Sequence, residues 1–269
     1  MSWIQDKWHG LRFNRLDFDR NYVIDQVLSQ KPRSRVLLVH RRGGKQQTIM
    51  KLSDPALANP LEVDCLRSLR HSGVARYLGH GLTRDHQLWM ETEYIDGLSL
   101  SAWLNGQLPA KGTVGDHFLQ LLSVVQYLHC CGWLHGDLSP QNVLVAEGRR
   151  GVVLIDFEYV QMIDQAKKRL MPRRHSISFA SPHEVAGGAT TESCEQFSLG
   201  KLGLMLLGHF EERATSTMEA VLQRAASPRA EDRYPSLQAV VHHLKKSMDT
   251  LHGNDSASPV ADTESPDSR

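Results

Sequence analysis

The stretch from Trp133 to Val160, WLHGDLSPQNVLVAEGRRGVVLIDFEYV, sets Asp137, Asn142 and Asp156 close together, each beside a run of apolar residues. Carboxylate and amide oxygens are hard ligands of the kind Mg²⁺ prefers, and a metal so held can meet the oxygens of a phosphate chain. An Asp after a strand also serves turns and caps. No one of the three is therefore diagnostic, and the reading rests on their order and on the elements that position them.

Those elements change character midway along the chain. From Asn21 to Tyr94 the sequence reads as strands with one helix. YVIDQVL, RVLLVHR and TIMKL are short β-like runs, and Gly43 and Gly44 in RRGGKQQ suit a hairpin turn. NPLEVDCLRSLRH has a helical period that puts Leu61, Cys65, Leu66 and Leu69 on one face, with Pro60 in the first turn. VARYLGHGL and QLWMETEYI return to β character. Beyond DGLS the chain turns helical: DHFLQLLSVVQYLHCCG ends at Gly132, and CEQFSLGKLGLMLLGH and YPSLQAVVHHLKKSMDTL follow later. From residue 253 a Ser-, Asp- and Pro-rich end is expected to form a disordered acidic tail. The expected architecture is α+β and bilobal. It comprises an extension over 1–20, a β-rich lobe over 21–94, a larger helical lobe over 95–252 and the tail over 253–269. The acidic trio lies just past the junction, where clefts tend to bind ligands.

Composition narrows the function classes. The 269 residues are 41% hydrophobic, enough for a sizeable core. Lys plus Arg number 31 against 30 Asp plus Glu, a net charge of +1, which argues against nucleic acid as a partner. No apolar run reaches spanning length and the N-terminus has no signal-peptide core, so neither a membrane anchor nor secretion is expected. Cys65, Cys130, Cys131 and Cys194 lack disulfide or metal-knuckle spacing. They read as buried free thiols, with cytoplasmic residence as the default.

His135-Gly136-Asp137 with Asn142 fits H-x-D-x-x-x-x-N, and Asp156-Phe157-Glu158 follows an apolar strand. Met50-Lys51 ends TIMK, Glu62 opens a helix, and His71 stands nine residues on. Taken in order these resemble the protein-kinase signature set over roughly Asn21 to Leu251, with a bacterial-type Ser/Thr kinase as the nearest kind. The resemblance implies roles. Lys51 would hold the α and β phosphates of ATP, and Glu62 would orient Lys51. Asp156 and Asn142 would bind Mg²⁺, Asp137 would accept the proton of the attacking hydroxyl, and His135 would brace the loop. ETEYIDGLSL resembles the hinge. Thr92 would be the gatekeeper, Glu93 and Ile95 would offer main-chain groups to adenine, and Leu28, Val36, Ile49 and Leu144 would sandwich the base. SFASPHEV resembles the end of an activation segment, with Pro182 and Glu184 as its Pro-Glu. Arg233 matches the late arginine expected to pair with that Glu. EQFSLGKLGLMLL resembles the central helix of the helical lobe, with Glu195 where Asp is usual.

Four positions depart from the pattern. Ser29, Lys31 and Ser34 fall where a glycine-rich loop has glycines, and Pro32 lies among them; Lys31 and Arg33 are the charges available to compensate. Glu158 replaces the glycine of D-F-G. Gly136 replaces the arginine of H-R-D, so control by loop phosphorylation is not expected. Ser139 replaces the lysine that steadies the γ-phosphate. The link from Lys51 to Glu62 is short, as if the helix front were trimmed. The basic run over 167–175 reads as a solvated loop or as a docking surface for an acidic partner, and Ser176 and Ser178 follow it.

The leading expectation is an ATP-dependent protein kinase acting on Ser or Thr of an unidentified protein substrate, regulated by a partner or an operon neighbour. The alternatives are a pseudokinase that binds nucleotide as a scaffold and, third, a small-molecule kinase. HGDL and IDFEY also resemble the aminoglycoside and choline kinases, which generally lack the Pro-Glu segment and the late arginine.

Overall fold

The computed structural model describes residues 14–16, 18–32, 34–106, 111–146, 148, 151–165, 177–207 and 215–253. The basic run over 167–175, Arg33, Ser176 and the tail from 254 lie outside the described residues.

Six strands form one sheet in the order β1-β5-β6-β4-β3-β2. β1 (Asn14–Leu16) and the single-turn helix α1 (Phe18–Asn21) lead into β2 (Tyr22–Lys31), β3 (Ser34–Arg41) and β4 (Gln47–Ser53). After helix α2 (Pro60–Ser68) come β5 (Tyr77–Thr83) and β6 (Leu88–Glu93). β1 runs parallel to β5 and the other pairings are antiparallel. The sheet thus reaches upstream of residue 21, the expected start of the lobe, because residues 14–16 add an edge strand that has no long alternating pattern to announce it.

The sheet has two working faces. Alternation puts Leu37, Val39, Met50, Leu52 and Trp89 on one side, where they pack with Tyr22 as a separate cluster. Directly paired residues share a face, so the opposite side carries Val36 beside Lys51, Lys51 beside Met90, and Ile49 beside Thr92. That side faces α2 and the helical lobe. Asn59 caps α2 by accepting the Leu61 N–H at 3.1 Å, and Pro60 occupies the first turn. At the far hairpin Gly43 adopts φ +81°, the left-handed conformation its turn requires.

A short strand β7 (Gly97–Ser99) and helix α3 (Leu100–Asn105) lead into the long helix α4 (Lys111–Cys130). Next come β8 (Trp133–Leu134), β9 (Val143–Ala146), β10 (Gly151–Leu154) and β11 (Gln161–Met162). The turn to helix beyond DGLS begins with α3, whereas the sequence pattern does not announce β7 or the later α7. β9 lies between β7 and β10, and β8 pairs with β11. Helices α5 (Pro182–Val185), α6 (Glu192–Leu206), α7 (Thr215–Ala225) and α8 (Leu237–Gly253) complete the chain. The main core runs without a break from Val63, Leu66 and Met90 of the β-rich lobe to Leu122, Leu128, Leu202 and Leu222 of the helical lobe. The lobes therefore share one apolar interior.

All four cysteines are free, but only Cys65 and Cys194 are buried; Cys130 and Cys131 are exposed at the end of α4, which corrects the expectation of four buried thiols. No described helix is long and apolar enough to cross a membrane.

Candidate active site

Asn142 and Asp156 are brought together by a hairpin. Val143 at the start of β9 pairs with Leu154 at the end of β10, so the residues flanking those ends meet, and the Ile155 N–H donates to the Asn142 carbonyl at 3.0 Å. Asp137 lies in the loop between β8 and β9. The Asn142 amide donates to the Asp137 carbonyl at 2.8 Å and to its carboxylate at 2.9 Å. The Asn142 side-chain oxygen and one oxygen of Asp156 accept no hydrogen bond among the described residues. Both residues line a cavity of about 150 Å³ with Asp137, Ser139, Glu158 and Lys31. These are the oxygens Mg²⁺ would take, with phosphate oxygens and water completing its shell. The described residues contain no cluster of three or more His, Cys, Asp or Glu able to hold a metal without such help.

His135 braces this loop as expected. Its ring is fully buried, 4.8 Å from the Phe157 ring, and hydrogen-bonds the Ile155 carbonyl at 3.1 Å. Phe157, itself buried, anchors the turn in which Asp156 adopts φ +60°. A non-glycine residue held there stores backbone strain, a common mark of functional positions.

Lys51 reaches the site from β4. Its Nζ lies 2.8 and 3.0 Å from the two Glu62 oxygens, 3.5 Å from Asp156 and 3.7 Å from Glu158. Burial disfavours the ammonium, but the charges of Glu62, Asp156 and Glu158 outweigh it and raise the Lys51 pKa. Burial likewise opposes ionisation of Asp156, yet the charges of Lys51, Lys31 and His135 hold its carboxyl below the usual range.

The residues expected around the base divide in two. Val36 and Ile49 lie on the sheet face toward the helical lobe, on the same side as Lys51. Ile95 is buried in a cluster against which Leu144 packs from below. The Ile95 N–H makes no hydrogen bond among the described residues, whereas the Glu93 N–H donates to the Arg76 carbonyl at 2.9 Å. Leu28 sits at a β-bulge between the pairs Val27–Leu37 and Ser29–Val36, and is 45% exposed.

Two departures have local explanations. Gly136 adopts φ +81°, and a Cβ there would come within 2.2 Å of the Tyr159 carbonyl oxygen, so no arginine fits. Glu195 is buried under the same loop and accepts the Gly136 N–H at 2.7 Å. Its other oxygen lies 2.7 Å from His129 Nε2. The extra methylene over Asp lets one carboxylate serve both. Arg233 departs from expectation: its hydrogen bonds go to the Ser227 and Pro228 carbonyls and to Ser193, and Glu184 acts on it only through space. Glu184 instead closes a capping box with Ser181 and takes a bond from Thr190 at 2.8 Å.

Sequence reading missed Asn59, whose amide donates to the Glu158 carbonyl at 3.1 Å and the Val160 carbonyl at 2.9 Å. The cap of α2 is thereby tied to the loop carrying Asp156. Asn before Pro at a helix start signals the cap but not the tether, which joins residues a hundred positions apart.

The fold thus brings a lysine paired to a helix glutamate and an Asp–Asn–Asp cluster at a hairpin mouth to one place between the β-rich and helical parts of the chain. The protein kinase domain model matches residues 34–253, and the chain belongs to that family. It is 24% identical over 188 residues to the serine/threonine-protein kinase PknF of Mycobacterium tuberculosis, covering 65% of this chain and 39% of that protein. It is 26% identical over 165 residues to the serine/threonine-protein kinase Pkn1 of Myxococcus xanthus, covering 56% and 23%. The match to the human dual specificity testis-specific protein kinase 1 is 29% identical over 170 residues, covering 60% and 27%. The chain thus spans well under half the length of these relatives. Among solved structures, the Cydia pomonella granulovirus kinase PK-1 shares the fold with a TM-score of 0.65 at 14% identity, over 83% of this chain and 93% of that one.

Proposed function

We infer that the protein transfers the γ-phosphoryl group of ATP to Ser or Thr hydroxyls of a protein substrate. The observation that carries this reading is the Lys51–Glu62 ion pair, already closed at 2.8 Å and within 3.5 Å of Asp156. Forming that pair and placing the Asp are the two conditions kinase catalysis sets on these parts. Lys51 holds the α and β phosphates. Adenine lies between Leu28, Val36 and Ile49 above and Leu144 below, bonded to the Ile95 N–H and the Glu93 carbonyl. Asn142 and Asp156 hold Mg²⁺, which when bound supplies charge neutralisation to the phosphates. Asp137 accepts the hydroxyl proton as the hydroxyl oxygen attacks the γ-phosphorus. The bond to the β,γ-bridging oxygen breaks, and ADP leaves with that electron pair. Use of ATP and Mg²⁺, choice of Ser or Thr, the protein substrate and an acidic partner for the 167–175 run are all parts of this reading.

Transfer of radiolabelled γ-phosphate, to the protein itself and to a generic basic protein with Mg²⁺ or Mn²⁺, tests it. Asp137→Asn and Lys51→Met should each reduce transfer by roughly 10²-fold or more. Undiminished transfer in both would overturn the residue assignments. One observation favours a second reading, a nucleotide-binding scaffold without transfer: Glu158 lies 3.7 Å from Lys51, where phosphate would compete for the same ammonium. That reading expects nucleotide to raise the melting temperature while no label moves.

A further inference from the structure

The turn between β2 and β3 is the part of the site that departs furthest from a glycine-rich loop. Lys31 pairs with Ser34, so only two residues separate the strands, the first of them Pro32, which has no N–H to offer a phosphate. Yet the turn brings one side chain to the catalytic cavity. Lys31 lines it opposite Asp137, Asn142 and Asp156, and its charge is felt by the Asp156 carboxyl.

The balance of charge in that cavity favours an anion-binding role for Lys31. Asp137, Asp156 and Glu158 contribute carboxylates, and Lys31 is the only cation among the described lining residues. Lys51 is already engaged by Glu62. On the opposite wall Ser139 is 1% exposed, and its hydroxyl has no hydrogen-bond partner among the described residues. A buried hydroxyl without a partner is uncommon unless a ligand supplies one. A flexible ammonium with three donors, lining one cavity with a residue whose buried hydroxyl has no partner among the described residues and with carboxylate and amide oxygens, suits a terminal phosphate.

We propose that Lys31, with Ser139 opposite, grips the terminal phosphate of the bound nucleoside triphosphate, replacing both the missing glycine amides and the missing cation at position 139. The proposal rests on the nucleotide-binding reading above. Calorimetric titration of the full chain with adenosine, ADP and ATP, each with Mg²⁺, separates the two. In the natural protein ATP should bind more tightly than ADP. Lys31→Met should weaken ATP by about tenfold or more, the loss expected for one charge-assisted hydrogen bond, and leave adenosine unchanged. Lys31→Arg should keep most of the preference, and Ser139→Lys added to Lys31→Met should restore it. Lys31 is exposed, so these variants should fold, and Lys31→Gln serves the same comparison should Met associate. If Lys31→Met and Lys31→Gln keep the natural ratio of ATP to ADP affinity, the proposal falls and the nucleotide reading stands. If the natural protein binds none of the three ligands, the nucleotide reading falls and takes the proposal with it.

Discussion

Gly136 leaves no room for a Cβ in the loop that carries Asp137. At φ +81°, with the Tyr159 carbonyl 2.2 Å from where that carbon would lie, Gly136→Ala must move either the Asp137 loop or the Tyr159 turn. The strained φ alone costs about 1–3 kcal/mol, so chemical denaturation should show at least that loss. Unchanged stability would mean that the loop relaxes freely. Beneath it, Glu195 and His129 make a pH-dependent support. Burial opposes both charges, but each is held by the other: His129 is raised above its ordinary value and Glu195 is lowered below its own. The Glu195 contribution is present above its ordinary value of about 4.5 and is lost as pH falls through the lower folded value. The His129 contribution is present below its ordinary value of about 6.5 and is lost as pH rises through the higher folded value. Both are therefore in full force between those ordinary values. Glu195→Gln should flatten the pH dependence of stability and bring the His129 titration, followed by NMR, downward. A His129 titration unmoved by the substitution would remove Glu195 as its cause. At this scale the sequence singled out Asp137, Asn142 and Asp156, and the fold places all three on one cavity. It marked Glu195 as a departure but not its partner, because the contact with His129 joins residues far apart in the chain.

At the scale of elements, α2 and the Asp156 loop behave as one piece because of Asn59. Its side chain accepts the Leu61 N–H and donates to two carbonyls of the loop. Asn59→Asp keeps a good cap but turns the donor into an acceptor facing those carbonyls, while Asn59→Ala removes both functions. If the tether matters, Asp should destabilise as much as Ala or more, by about 1–3 kcal/mol. If only the cap matters, Asp should match the natural protein in chemical denaturation. Elements with strong periodicity, such as α4 and the β3–β4 hairpin, were legible in the sequence. The three-residue strands β1 and β7 were not, since each exists only through its partner: β7 needs β9, approached so closely that a Cβ on Gly97 would sit 2.3 Å from the Val145 carbonyl. Arg233 shows the converse, a motif match whose expected partner is replaced by main-chain carbonyls.

Across the whole molecule, the continuous core from Val63 to Leu222 predicts that the lobes unfold together. Thermal transitions followed by far-ultraviolet circular dichroism and by tryptophan fluorescence should coincide; two separated transitions would show that the lobes are energetically independent. On the proposed reading a ligand at the cleft stabilises that whole unit. ATP with Mg²⁺ at a hundred times its dissociation constant should add about 2.7 kcal/mol. Chelating the metal should remove most of it, and Asn142→Ala or Asp156→Ala should make the stabilisation insensitive to chelation. The two-residue turn above the cavity has a kinetic consequence. A long flexible loop folds over its nucleotide and must lift before the product escapes, and such opening sets the turnover of many enzymes. On the proposed reading, a hairpin closed by the Lys31–Ser34 pair would offer a shorter flap to raise. Departure of ADP would then be governed by breaking contacts at its base and phosphates, and the dwell time of the spent nucleotide would follow its affinity rather than a loop's motion.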